Sequence, residues 1–178
     1  MDLREALLAE HSRAQKNIIA DYVGDSKELF MALWKVIKSG EEPLPQRAVW
    51  ALEECVSRHP GLFDHIMEEA ITLLPGGHHD AFYRNITKIL SQREIPEKYQ
   101  GILFDLAIDW MLDPAKAVAI KAHCMTLAFN IAMPIPELRE ELAIVLKDQM
   151  EFNSAGFSSR GRKILKSLEK LNRGITNS

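Results

Sequence analysis

Three short constellations in this 178-residue chain combine residue types able to do chemistry. His78-His79-Asp80 follows Pro75-Gly76-Gly77 in a loop, and two imidazoles with a carboxylate are zinc-ligand types. Adjacent loop residues rarely converge on one ion, however, and no third-ligand cluster is obvious. His79 or Asp80 therefore reads as the cap of the helix that follows. Cys55 and His59 are four apart, the spacing that shares one helical face, with His65 one corner further on. They read as a core cysteine beside a surface histidine at a helix end. His123 and Cys124 are consecutive, so on a helix their side chains diverge by about 100° and cannot form a nucleophile–base dyad. The chain has no glycine-rich phosphate loop, no G-x-S-x-G, no H-E-x-x-H and no dinucleotide fingerprint. The expectation is no catalytic, cofactor-binding or metal-binding residue.

A different set of residues recurs. Arg47, Arg84, Lys121 and Arg160 each open an apolar helical run, and they are spaced by 37, 37 and 39 residues. A period of roughly 35–45 residues with helices between is the signature of a helical solenoid. Two roles suit such a ladder. It could face an anion, or it could tie neighbouring repeats by hydrogen bonds. Lys121, flanked by Ala119, Ala122 and Met125, favours the internal role.

Charge is uneven. Residues 1–155 carry a net −8, while residues 156–178 carry +5 from Arg160, Arg162, Lys163, Lys166, Lys170 and Arg173 against Glu169. Such a segment could meet an anionic partner. Basic residues near a helix C-terminus also suit its dipole, so a solvated terminal helix explains them equally. Trp34, Trp50 and Trp110 fall on or beside apolar stripes. Buried, they are core; exposed on an inner face, Trp50 and Trp110 become binding anchors. Cys55 and Cys124 read as small buried thiols in a reducing compartment.

The elements that must position these residues are helical throughout. Apolar spacing predicts nine helices. The first covers 2–22 and ends at Gly24; the second is capped by Asp25 with Glu28 and stops at Gly40. The third follows Pro43 and Pro45 and runs to His59, and the fourth carries Phe63, Ile66, Met67, Ala70, Ile71 and Leu74. The next three cover about 79–92, 96–112 and 114–132, the last capped by Asp113 ahead of Pro114 and apolar nearly all round. An eighth carries Leu138, Leu142, Val145 and Leu146, and a ninth follows Asn153-Ser154. No segment alternates with period two, so no β-sheet is predicted. Short connections make sequential helices antiparallel pairs, each burying its stripe against its neighbours.

The segments PQRAVWALEE (45–54) and DPAKAVAIKAHCM (113–125) resemble HEAT-type repeats. The likeness covers roughly residues 43–172. In that family a capping Asp opens the second helix of each hairpin, and a basic residue bonds toward the neighbouring repeat. Asp113 and Lys121 match this pattern; Arg47 follows Glu41-Glu42 and Arg160 follows Asn153, so those repeats match it less closely. The runs RAVWALE (47–53), DWMLDP (109–114) and SAGFSSRGRKIL (154–165) are also similar to a group of small bacterial all-helical proteins. Some of those carry the name adenylosuccinate lyase. True lyases of that superfamily use a serine-bearing loop, and the nearest stretch here, MPIPELREE (133–141), has neither the serine nor the Lys-Asn-Pro. Without that loop there is no general base for the reaction.

The resemblance implies an all-α fold, a right-handed α-α superhelix of the HEAT/ARM-like solenoid type. One domain over 1–178 is expected, with a capping hairpin at 1–40, repeats over 41–172 and a frayed tail at 173–178. The expected function is a non-enzymatic scaffold for another protein, with Arg160, Arg162, Lys163, Lys166, Lys170, Trp50 and Trp110 as partner-binding residues. Arg47, Arg84, Asp113 and Lys121 are expected to be inter-repeat struts. The alternative is nucleic-acid binding through the basic last helix, which the acidic remainder opposes. No apolar run approaches the roughly 20 residues of a membrane span, and residues 1–15 contain no apolar signal-peptide core, so a cytoplasmic location is expected.

Overall fold

A computed structural model describes residues 1–175. Among them every regular element is helical. The chain divides into two compact units, Met1–Ile89 and Leu90–Ser178.

The first unit opens with α1 (Leu3–Ala9) and α2 (Arg13–Val23), where one helix was expected. The break has a local cause. Ser12 is extended, and its hydroxyl accepts from the Gln15 amide at 3.1 Å. Ser12-x-x-Gln15 is a capping-box pattern, which starts a new helix rather than continuing the old one. The Gln15 side chain then donates back to the Ala6 carbonyl at 2.7 Å, fixing the corner. Gly24 ends α2 at φ +51°, a left-handed conformation that glycine adopts without steric cost. The cap of α3 (Lys27–Lys38) is Ser26, one residue after the expected Asp25; its hydroxyl accepts from the Leu29 amide at 3.3 Å. α4 (Leu44–Arg58) follows Gly40, also at positive φ.

Phe30, Leu33 and Trp34 of α3 and Ala48, Val49, Leu52 and Cys55 of α4 are sealed from solvent, and the two helices pack against each other. Each such apolar side chain stabilises the fold by about 2 kcal/mol. Trp34 keeps its one polar atom satisfied by donating Nε1–H to Glu69 at 2.6 Å. The expected fourth helix begins as a 3₁₀ turn over Pro60–His65 and becomes α5 only at Met67–Leu73. Proline and glycine at its entry disfavour a full α turn there, while Leu62, Phe63 and Ile66 still reach the core. α6 (Asp80–Ser91) carries the unit boundary, which falls between Ile89 and Leu90.

The second unit contains α7 (Glu97–Leu112), α8 (Val118–Ala132), α9 (Pro136–Gln149) and α10 (Ala155–Ile175). α8 is apolar nearly all round because it packs against α7, α9 and α10. Its start is four residues later than expected. Asp113 caps a turn instead, its carboxylate accepting from the Ala115 amide at 2.8 Å while its carbonyl accepts from Lys116. Asp113-Pro114 thus closes a turn, and the helix starts only after extended Ala117. α10 continues through Ile175; the remainder of the expected tail, 176–178, lies outside the described residues.

Ion pairs tie α2 to α4. Glu54 bonds Lys16, and Arg58 bonds Glu54 at 2.9 Å together with Asp21. The Lys16 hydrogen bond, opposed by partial burial and aided by Arg58, holds the Glu54 carboxyl below the ordinary 4.5. A carboxylate depressed in the fold contributes stability that is complete above 4.5 and is lost as pH falls below it. Urea unfolding midpoints measured from about pH 6 to about pH 3 should therefore drop more steeply for the native chain than for Glu54→Gln. Equal slopes would show that the pair carries no stability.

Candidate interaction surfaces

The four recurring basic residues occupy three different environments. Arg47, half-buried on α4, donates Nη1 to the Leu7 carbonyl at 2.9 Å and to Leu8 at 3.3 Å. These are among the last carbonyls of α1, which have no acceptor role inside their own helix. Arg160 of α10 makes the same kind of backward reach. Its Nη1 donates to the Ala122 carbonyl at 2.7 Å and to the Thr126 hydroxyl at 3.2 Å on α8. Lys121 is only 4% exposed and reaches forward, donating Nζ to the Asn153 side-chain oxygen at 3.0 Å. Asn153 in turn donates to the Gln149 carbonyl at 2.8 Å. Asp113, matched to Lys121 by the repeat pattern, does not bond it; its carboxylate holds the Ala115 turn. Arg84 departs from the set, being exposed with no side-chain hydrogen bond or ion pair among the described residues.

Arg84 instead borders a notch of about 320 Å³. Trp50 and Gln46 of α4, His11 from the α1–α2 corner, and His79 and Asp80 at the start of α6 complete it. Arg84 and Asp80 are one turn apart yet form no ion pair, leaving both charges to the notch. Trp50 is half-buried. His11 meets its ring edge-on at 5.3 Å, and the Lys16 ammonium stands 5.2 Å from its centroid. Trp110 is likewise half-buried under a cation, with Lys116 Nζ 4.6 Å from its ring centre. Trp34 alone of the three is fully sealed.

The basic segment forms a face. Arg162, Lys163, Lys166 and Lys170 are all exposed, and none makes a side-chain hydrogen bond or ion pair among the described residues. At 100° per residue they fall within an arc of about 100° and span about 12 Å of α10. Phe157, Ile164 and Leu168 occupy the opposite side and are buried. Glu169 sits at the margin of the basic arc. Arg160 is exposed as well, but its guanidinium is committed to α8.

The remaining constellations stay apart from these surfaces or serve structure. His79 Nδ1 accepts from the Ala81 amide at 3.1 Å at the start of α6. The Tyr83 hydroxyl takes the His78 amide at 2.8 Å and donates to the Gly76 carbonyl. Among the described residues no group of three or more His, Cys, Asp or Glu is placed to hold a metal. No described helix is long and apolar enough to cross a membrane. Cys55 and Cys124 are free and fully buried, and burial pushes each thiol up to about 12. In the second unit a groove of about 480 Å³ runs past Arg93, Glu94, Gln100, Asn130 and Met133, with Asn130 donating to the Ser91 carbonyl at 2.9 Å. The residues of this groove come from separate segments that share no motif, so nothing in the sequence marks it.

A family model described as a HEAT repeat domain matches residues 3–168. No curated protein and no solved structure matches the chain.

Two outcomes follow from the geometry. An aromatic disulfide reagent at about pH 8 should leave both cysteines unmodified in the folded protein and titrate both in denaturant, since the thiolate is the reactive form. Fast reaction of either thiol in the native chain would contradict its burial. Arg47→Met should raise amide exchange across residues 3–9 and lower stability by about 1–2 kcal/mol. Arg84→Met, with no bond to lose, should stay within about 0.5 kcal/mol of the native chain. Similar losses for the two would erase the distinction drawn between them.

Proposed function

This chain belongs to the HEAT repeat domain family, and from that premise we propose that it is a non-enzymatic scaffold that docks an acidic protein partner. The observation that carries the reading is the face of α10. Four exposed cations stand in one arc, with Glu169 at its margin, and none of the four is in an ion pair among the described residues. Like charges held this close repel each other, and an incoming row of carboxylates relieves that repulsion. Because the side chains are solvated, such a surface sets association rate and specificity more than raw affinity.

The Trp50 notch, in the first unit, is a separate candidate contact. A half-buried tryptophan flanked by an unpaired arginine has the composition of an interface anchor. It suits a protein side chain better than a nucleic-acid backbone, because Asp80 lines the same notch and repels phosphate. The net −8 over residues 1–155 opposes polyanions in the same way.

Immobilised protein should retain a partner from its native cell extract, and the purified pair should then be titrated. Lys163→Glu with Lys166→Glu should weaken the pair by about tenfold and flatten its salt dependence. Trp50→Ala should weaken it without changing the salt slope. Two results would overturn the proposal. One is retention of DNA or RNA instead, with affinity falling steeply between about 50 and about 200 mM salt. The other is release of fumarate from adenylosuccinate by the purified chain.

A further inference from the structure

The Trp50 notch joins a cavity to two opposite charges that the fold leaves unused. All of its lining residues belong to the first unit, and its volume of about 320 Å³ is at the small end of ligand pockets. Its main walls are α4 and α6. The register of the two helices is fixed beside the notch, where Lys88 of α6 donates to the buried Glu53 of α4 at 2.7 Å. Trp50 is three residues before Glu53, and Arg84 is four before Lys88. Each is therefore one helical turn back from the ion pair. One turn further back, Gln46 and Asp80 line the same notch.

Most cations around the notch are committed. Lys16 is held by Glu54, Lys88 by Glu53, and Arg47 by the carbonyls of Leu7 and Leu8. Arg84 is the only Lys or Arg in the lining, and Asp80 is the only carboxylate. Neither they nor Gln46 have a side-chain hydrogen bond or ion pair among the described residues. Arg84 and Asp80 are exposed, so water satisfies them and the fold needs no ligand there. What they offer an incoming molecule is a fixed order, a cation and an anion on one face of α6. Trp50 supplies an apolar wall between α4 and these charges. Lys16 stands 5.2 Å from the Trp50 ring centre but does not line the notch, so the indole surface facing the cavity is not the part that Lys16 covers.

These features select the chemistry of an occupant. Phosphate and polyanions meet Asp80, while metal cations and polyamines meet Arg84. A neutral apolar molecule would strip water from both charges and return nothing. A molecule with one carboxylate and one ammonium compensates both, and the carboxylate matches the planar guanidinium fork. An apolar group on the same molecule can lie on the indole.

We propose that the notch between α4 and α6 binds a free α-amino acid with an apolar side chain. The carboxylate pairs with Arg84, the ammonium with Asp80 beside the Gln46 amide, and the side chain packs on Trp50. This site goes beyond docking through α10 and requires no protein partner. An amino acid held here keeps a partner's side chain out of the notch.

L-Phenylalanine should be titrated into the purified full chain. The readout is the Trp50 indole N–H resonance, assigned through Trp50→Phe. It should shift saturably, with half-saturation at about millimolar concentration or below. Arg84→Met and Asp80→Asn each remove an exposed charge with no bond to lose, so both should fold, and each should weaken binding about fivefold or more. N-acetyl-L-phenylalanine lacks the ammonium and L-phenylalaninamide lacks the carboxylate; each should also bind about fivefold more weakly or worse. Lys163→Glu with Lys166→Glu should leave the titration unchanged, so failure of docking through α10 and failure of this site are read separately. The proposal is overturned if the resonance does not saturate, or if Arg84→Met binds phenylalanine as the native chain does. It is also overturned if the N-acetyl compound binds as tightly as the free amino acid, a result that would assign the notch to the carboxy-terminal residue of a peptide.

Discussion

Each helix of this chain carries one apolar stripe and can hide it only against the helices beside it. No sheet exists among the described residues to serve as a common floor. α8 shows how far the constraint reaches. Packed against α7, α9 and α10, it has lost its polar side almost entirely, so even its lysine at position 121 is buried. In the first unit α4 takes the corresponding load, meeting α1, α2 and α3. Polar groups on packed helices find partners inside the fold: on α6 Thr87 bonds the Tyr83 carbonyl and Asn85 the Ala81 carbonyl, while Trp34 of α3 reaches the Glu69 carboxylate of α5. Placement of polar atoms is therefore dictated by packing first and by chemistry second.

The same ordering explains which features were legible in the sequence. The all-round apolar character read over about 114–132 is a consequence of packing and was readable as such. Helix ends were less readable because they depend on single hydrogen bonds. Ser12-x-x-Gln15 interrupts an apolar pattern that continues straight through it. Asp113 looks like a helix cap, and its carboxylate does cap, but the group it caps is a turn. Periodicity averages over such points, while one well-placed side chain decides them.

Site residues divide along the same line. The basic face of α10 was visible because charge composition needs no geometry. Arg84 was grouped with Arg47 by spacing, yet one is exposed beside Trp50 and the other is bound to α1; spacing cannot reveal which carbonyls lie within reach. The burial of Arg139 on α9 was hidden for the opposite reason. PELREELAIVLK reads as a charged, solvated helix, and its one inward-facing cation cannot be told by type from its outward-facing neighbours. The helical angle places it with Leu142 and Leu146, but only packing shows that the angle leads to a sealed position.

The shorter links made by Arg47 and Arg160 end on main-chain oxygens, of Leu7 in one case and Ala122 in the other, with the Thr126 hydroxyl as a further acceptor for Arg160. A carbonyl is supplied by every amino acid. The accepting partner in each link is thus indifferent to side-chain identity, whereas the donating arginine is not. Drift along the receiving helices can proceed one position at a time without breaking the connection. Mutational tolerance in this architecture is accordingly lopsided: about one repeat length separates a site that must stay arginine from sites that, for this purpose, can be almost anything.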